Sequence, residues 1–412
     1  MHLCLFEDAN VPHLYPLVLT RTAGDLRVGA RTLIERQKGA FPHAGWSISA
    51  RKEVADVTAQ EHPDALVNKL PNDGQGVLFV NQCWLVRGGE FLEAVHAAVG
   101  SSNPKAWALG DTLVAGWHPS PPTDATSRPI AELFENPVVI GESEATLISR
   151  LWHLVGDIDG RIERDLLDSE GLGQHGGTIH SSVILAHPEH IHVAHDATIR
   201  PGAILNAEDG PIHVGSEAVV EEGTILRGPV YLGPRSVVHA GTRLQVVSAG
   251  PFCKLGGEIQ GSIIHSYSNK AHDGYLGDSY LGRWCNLGAD TNTSNLKNDY
   301  SEVTLYDAVE RDFLRTGSQF IGLVMGDHSK CSINTMFNTG TVVGVFCNLF
   351  GSGFPPRYLP SFSWGAADTP YKLDKALQVA EAVMARRGMK LTKAESALLT
   401  RLYAGEYSEK RL

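Results

Sequence analysis

The chain has 412 residues, 43 of them glycine against 21 proline, and carries a net charge of -11 from 35 Lys+Arg and 46 Asp+Glu. This length allows two or three domains, and 42% hydrophobic with 20% charged residues excludes a disordered chain. The acidic balance argues against a general nucleic-acid binder. No stretch approaches 18 uninterrupted apolar residues, so no membrane span is expected, and the glycines lack a collagen period.

The opening Met1–Asp8 has no basic region, and Cys4, Cys83, Cys253, Cys285, Cys331 and Cys347 are scattered without a CxxC pair. Both features point to a cytoplasmic protein with reduced thiols. Residues 1–140 alternate apolar runs (Leu3–Phe6, Gly76–Val80, Trp84–Val86) with helical stretches near 29–38 and 89–99, an α/β pattern. Residues 141–177 read as a connection. A helix is expected over 146–167 with Leu147, Leu151, Leu154, Ile158 and Ile162 on one side, then a flexible junction over Gly171–Gly177.

Residues 178–354 carry a six-residue period. Val214, Val220, Leu226, Leu232, Val238 and Leu244 share one phase, preceded by Val193, Ile199 and Leu205. The phase returns at Tyr275, Leu281 and Leu287, and again at Met325, Cys331, Phe337, Val343 and Leu349. One inward aliphatic per six residues is the pattern of a parallel β-helix of hexapeptide repeats, in which three short strands make one coil. Gly215, Gly223, Gly228, Gly233 and Gly241 are expected at its corners. Residues 355–412 form a helical tail that covers the open end of the β-helix or a neighbouring subunit. Thr369-Pro370 is its expected helix start, Gly388 the stop, and Thr392 with Glu395 a second capping box.

Three stretches carry a family resemblance: PLVLTRTAGDLRVG at 16–29, SNKAHDGYLGDSYLGRWCNLGADTNTSNLKNDY at 268–300, and MGDHSKCSINTMFNTGTVVG at 325–344, with PSFSWG at 360–365. They make the chain similar, over nearly its whole length, to the GlmU-type bifunctional enzymes. The nearest branch is an alternative bacterial one of sugar nucleotidyltransferases. The resemblance implies a Rossmann-like nucleotidyltransferase domain followed by a left-handed β-helix acyltransferase domain, assembled as a homotrimer. It implies acetyl-CoA-dependent N-acetylation of an amino-sugar 1-phosphate, glucosamine 1-phosphate first among them. Nucleotidyl transfer from UTP with Mg²⁺ would then give UDP-N-acetylglucosamine.

On the matching positions the resemblance makes His272 the catalytic base. It puts Tyr275 and Asn286 on the sugar phosphate and Ala289 and Asn295 at the acetyl-CoA end. The chemistry agrees: a sugar ammonium must lose a proton before its nitrogen attacks a thioester, and an imidazole is suited to taking it. No acyl-enzyme is needed, so Cys285 need not be a nucleophile. Where the family has a lysine for the sugar phosphate, this chain has Gln260, which cannot neutralise it; Arg243, Lys254 or Lys270 are the cations that could. Lys330 is a candidate for the coenzyme A phosphates.

In the first half the glycine-rich phosphate loop is absent, since Glu7-Asp8 runs into Ala9-Asn10-Val11-Pro12-His13. Arg21 and Arg27 are the candidate phosphate contacts, Asp8 and Asp111 the candidate Mg²⁺ ligands, and Asn81 stands where the family fold would offer a metal-binding Asp. Two rival readings remain. His187, His190, His192 and His195 raise a zinc β-helix hydratase of the γ-carbonic anhydrase type. A sugar-nucleotide-binding scaffold without acetyltransferase activity would have no need of His272, Tyr275, Asn286 and Asn295 at this spacing.

Overall fold

The computed structural model describes residues 1–41, 45–365 and 367–408; the last four residues of the expected tail lie outside these. The N-terminal half is built on seven strands: β1 (His2–Phe6), β2 (Gly45–Ser49), β3 (Leu66–Val67), β4 (Val77–Asn81), β5 (Lys105–Leu109), β6 (Thr112–His118) and β7 (Val138–Ile140). Their order is β3-β2-β1-β4-β6-β5-β7. β1 pairs in parallel with both β2 and β4, while β6 runs antiparallel between β4 and β5. Leu3 and Leu5 enter one core with Ile48 and Leu78, and Cys4 and Phe6 enter another with Val77 and Phe79. Burial on both faces is why β1 is apolar without alternation. The helices of this half are α1 (Leu33–Ala40), capped by Thr32 and Glu35, α2 (Ala55–Glu61) and α3 (Glu90–Ala98). Trp84–Val86 is not a strand; Leu85 donates to the Thr146 carbonyl and ties this turn to the connection.

The single helix expected over 146–167 is two: α4 (Trp152–Val155) and α5 (Ile158–Leu167). Gly156 and Asp157, the latter at φ 53°, break it. The apolar stripe survives the break, because Leu151, Leu154, Ile158 and Ile162 pack against Ile263, Tyr280, Val324 and Val342 of the second half. The 171–177 segment is not a loose junction either. Gly173 and Gly176 donate to the Ile191 and Val193 carbonyls and lie on the first coil.

From Thr178 to Trp364 the chain winds through the parallel ladders of the expected left-handed β-helix. One inward column runs Val193, Val214, Leu232, Ala249, Ile264, Leu281, Met325, Val343, Leu359, each residue in register with the next. A second runs Ile179, Ile199, Val220, Val238, Leu255 and then Lys270; a third runs Leu205, Leu226, Leu244, Ile259, Leu276. Tyr275 is therefore not an inward residue as its phase suggested; Leu276 is. The coil from Ala249 to Ile264 spans 15 residues where Val214 to Leu232 spans 18, and the period slips there. Between Thr293 and Leu323 a hairpin, Thr304–Asp307 with Asp312–Arg315, leaves the coil.

Glycine serves the corners in two ways. Gly223 turns at φ 66°, while Gly233 is needed because a Cβ there would lie 2.6 Å from the Gly250 carbonyl carbon. One corner is aromatic: Phe252, Tyr267, Trp284, His328, Phe346 and Phe362 all have φ between 55° and 61° and stack in sequence, with centroids 4.3 to 5.9 Å apart.

The tail starts later than Thr369-Pro370, which lie in a strand, Ala367–Pro370, paired with Ser363–Trp364. Tyr371 donates to the Phe362 carbonyl and keeps the chain extended, so that α6 (Leu373–Ala385) is capped at Lys372. Ala376 and Ala380 of α6 pack on Val345, Phe346 and Phe362 of the chain's own β-helix. Gly388 ends the helix at φ 70°, and the Thr392–Glu395 box forms at α7 (Lys393–Ser408). Leu398 of α7 packs against Val54 and Val57, so the tail also reaches the N-terminal domain.

Candidate functional site

His272 lies in the turn between the short strands Asn269–Lys270 and Tyr275–Gly277, at one corner of the β-helix. Beneath it Lys270 takes an inward position in register with Leu255. Its Nζ donates to the carbonyls of Gly256 (3.0 Å), Asp273 (3.2 Å) and His272 itself. Burial holds this amine down at about 8. Lys270 thus gathers the turn's carbonyls from inside and leaves the His272 side chain exposed. It is sequestered from the surface on which a substrate would lie.

On the face that follows the corner, the Tyr275 N–H donates to Asn292 Oδ1 at 2.9 Å. Asn295 Nδ2 donates to the Tyr275 hydroxyl (3.2 Å) and to Asp278 Oδ2 (2.6 Å). Burial raises both the Tyr275 phenol and the Asp278 carboxyl. Gln260 is exposed one strand away, its backbone in register with Gly277. Arg243, also exposed, is engaged with Glu258 at 2.6 Å.

Asn286 and Lys330 stand on the other side of the corner, in the ladder Asn269–Asn286–Lys330. Lys330 Nζ donates to the His328 carbonyl at 2.9 Å, and burial holds it at about 8. Ala289 accepts from the Asn334 N–H at 2.8 Å through its carbonyl. The corner therefore divides the expected site into Tyr275, Asn295, Gln260 and Arg243 on one face and Asn286 with Lys330 on the next. Cys285 is buried and its thiol is pushed far up by desolvation, which makes it a poor nucleophile. All six cysteines are buried thiols.

In the N-terminal domain a cavity of about 760 Å³ opens at the carboxyl ends of β1 and β4, beside Asp8, Asn10, Thr112, Arg150, Arg161 and the Thr316–Ser318 turn of the β-helix hairpin. This is the switch point of the parallel strands, where open α/β sheets take ligands. Arg21 and Arg27 do not line it. Arg21 is buried in an ion pair with Asp327, and Arg27 donates to the Ala30 carbonyl with its guanidinium 5.2 Å from the Tyr231 ring centre; both join the two halves. Asn81 turns back to donate to Asp8 Oδ2 at 2.7 Å, and the Asn10 N–H takes Oδ1 at 2.8 Å. Asp111 is exposed on the turn before β6. Of the two candidate Mg²⁺ ligands, Asp8 lines the cavity and Asp111 is not among the residues that line it.

Among the described residues one trio has carboxylate and imidazole atoms close enough for a metal: Asp25, Glu61 and His62. There Asp25 accepts from His62 Nε2 at 2.8 Å and Glu61 is paired with Arg283, so a guanidinium already supplies the positive charge. The histidine-rich run is dispersed. His187 meets Glu189, His192 bonds the Gly171 carbonyl, and His192 stacks on His213. Asp278 lay within a recognised motif, but the Thr316–Ser318 turn reaches the cavity from distant sequence, and no local pattern marked it.

Residues 3–170 match the family described as sugar nucleotidyl transferase. The "Bifunctional protein GlmU" of Methanocaldococcus jannaschii is 33% identical over 103 residues, 25% of this chain and 24% of that protein. The protein of the same name from Rippkaea orientalis is 30% identical over 139 residues, 33% of this chain and 25% of its own length. The chain spans about a quarter of each of these relatives. A solved structure of Arabidopsis UDP-N-acetylglucosamine acyltransferase overlaps 57% of this chain and 90% of its own at 12% identity, with a TM-score of 0.19, too low to carry argument. Residues 3–170 are thus similar to the sugar nucleotidyl transferase family, and over the matched stretches the chain is similar to the GlmU proteins.

Proposed function

We propose that this chain is a cytoplasmic transferase of amino-sugar activation. It moves the acetyl group of acetyl-CoA onto the amine of an amino-sugar 1-phosphate, glucosamine 1-phosphate in the first instance. The observation that carries this reading is the His272 corner: an exposed imidazole on a turn fixed from within by Lys270, next to the Tyr275–Asn295–Asp278 hydrogen-bonded group. His272 takes a proton from the sugar ammonium, and the freed nitrogen attacks the thioester carbonyl. The new C–N bond forms, the C–S bond breaks, and the thiolate leaves with a proton as coenzyme A. The Asn295 amide spends both its hydrogens on the Tyr275 hydroxyl and Asp278, so it positions those groups, and the backbone N–H near Ala289 is the candidate donor to the oxyanion. A surface corner of this kind is enclosed by a second copy in the expected homotrimer.

The test is thiol release from acetyl-CoA with glucosamine 1-phosphate. Wild type should turn over, and His272→Ala should lose about 100-fold or more, the usual contribution of a general base. No release by wild type over a panel of amino-sugar phosphates would overturn the reading. A second reading, nucleotidyl transfer, is favoured by the family match of residues 3–170 and by the 760 Å³ cavity. The same preparation given UTP and N-acetylglucosamine 1-phosphate should then release pyrophosphate; its absence leaves the N-terminal domain a binding scaffold.

A further inference from the structure

Outward positions of the second β-helix column form an aligned ladder: Lys254, Asn269, Asn286, Lys330. Successive rungs of a parallel sheet are about 4.8 Å apart, so two lysines bracket two amides over about 15 Å. The carboxyl end of α6 lies across this ladder and adds Arg386 and Arg387; Arg387 Nη2 donates to Asn269 Oδ1 at 3.3 Å. Between the two walls is a cleft of about 430 Å³ lined by four cations and no carboxylate. Among the described residues none of the four is in an ion pair.

Arginines near a helix carboxyl end answer its partial negative charge. That accounts for Arg386 and Arg387 but not for Lys254 and Lys330, which belong to the β-helix and face the same space. Four like charges converging on one cleft repel one another unless an anion joins them. We propose that this cleft binds a phosphoryl group. The lysines and arginines would neutralise it, and the Asn269 and Asn286 amides would supply neutral donors to its remaining oxygens. The phosphoryl group has three possible sources, a sugar phosphate, coenzyme A or inorganic phosphate, which share this chemistry. The proposal deepens the acetyl-transfer reading and rests on it in part, because the resemblance already sets Asn286 on the sugar phosphate and offers Lys254 and Lys330 for phosphates; the structure adds Arg386 and Arg387 and brings all five to one cleft.

Calorimetric titration of the full chain at low ionic strength tests it, with inorganic phosphate, glucosamine 1-phosphate and coenzyme A as separate ligands and glucosamine as the phosphate-free control. At least one phosphate compound should bind saturably while glucosamine does not. Lys254→Gln and Arg387→Gln should each weaken that ligand about tenfold, the worth of one charge-assisted hydrogen bond. Arg387→Lys should keep most of the affinity. Thermal melting of each variant separates lost binding from lost folding, and the ligand that binds tightest identifies the source. No saturable binding of any of the three, or undiminished binding in folded Lys254→Gln and Arg387→Gln, overturns the proposal. Saturable phosphate binding by a wild type that releases no thiol would overturn acetyl transfer and leave this cleft standing, so the two failures are told apart.

Discussion

Lys270 shows how one residue can change role between sequence and fold. Its place in the motif suggested a cation on the substrate, yet register with Leu255 turns it inward, where three carbonyls receive its amine. Burial lowers that amine from its ordinary 10.5 to about 8. Between these values the unfolded chain holds a proton that the folded chain has lost, so stability rises with pH across this window. Wild type should therefore gain on Lys270→Met between pH 8 and 10.5, by up to ~3 kcal/mol. Urea unfolding of both proteins measures this, and the similarly lowered Lys330 is common to both and cancels. A constant difference across the window would show that the amine stays protonated in the fold.

Elements were legible where period and burial coincide. Val214 through Leu244 kept one phase and all are buried. Phase failed at Tyr275 because coil length changes, and a period read from residue numbers does not register a coil of 15. Half the site was legible on the same terms: Tyr275, Asp278 and Asn295 lie within one short stretch and meet through hydrogen bonds. Of the other half, Lys254 and Lys330 were named as phosphate candidates, but their meeting with Arg387 was not legible, since it follows only from winding and helix docking. Nor did the sequence announce the aromatic corner, because its ring positions are 15 to 44 residues apart. There Trp284 sits at φ 61° with Tyr267 stacked 4.3 Å away. Its side chain contributes packing, while its backbone conformation favours glycine. Trp284→Ala should cost about 3–5 kcal/mol. Trp284→Gly should cost about 1 kcal/mol less, since it sheds the left-handed strain that alanine keeps. Equal losses in denaturant unfolding would mean that the corner is unstrained.

At the scale of the whole molecule the two halves share one hydrophobic cluster, in which Leu26, Val28, Ile158 and Ile162 meet Ile263, Tyr280 and Val324. A buried polar knot sits beside it. Asp327 accepts from Arg21, from Thr20 Oγ1 at 2.6 Å and from the Arg283 N–H at 2.8 Å, and His265 Nε2 bonds the Asp25 carbonyl at 2.7 Å. Asp327→Asn leaves the Arg21 guanidinium buried without its counter-charge and should destabilise the chain by about 3–5 kcal/mol. Thermal unfolding should fall as one transition for both halves, because neither can open without exposing the shared cluster. Two separated transitions would mean that the interface contributes little. This interface explains why Arg21 and Arg27 read as phosphate contacts: a basic residue in a conspicuous motif looks alike whether it holds a ligand or a neighbouring domain.

The aromatic column has a further consequence for how such a chain can grow. From Tyr267 to Trp284 the path is 17 residues, from Trp284 to His328 it is 44, yet the rings remain neighbours in one stack. Height along the β-helix is thus set by the strand spacing of about 4.8 Å, which the rings follow, and not by residue count, as courses of brick hold level whatever lies behind the wall. The 304–315 hairpin could enter at another corner without tilting this one. The side of the molecule bearing Lys254, Asn269, Asn286 and Lys330 keeps its even spacing while the opposite side is free to acquire new loops.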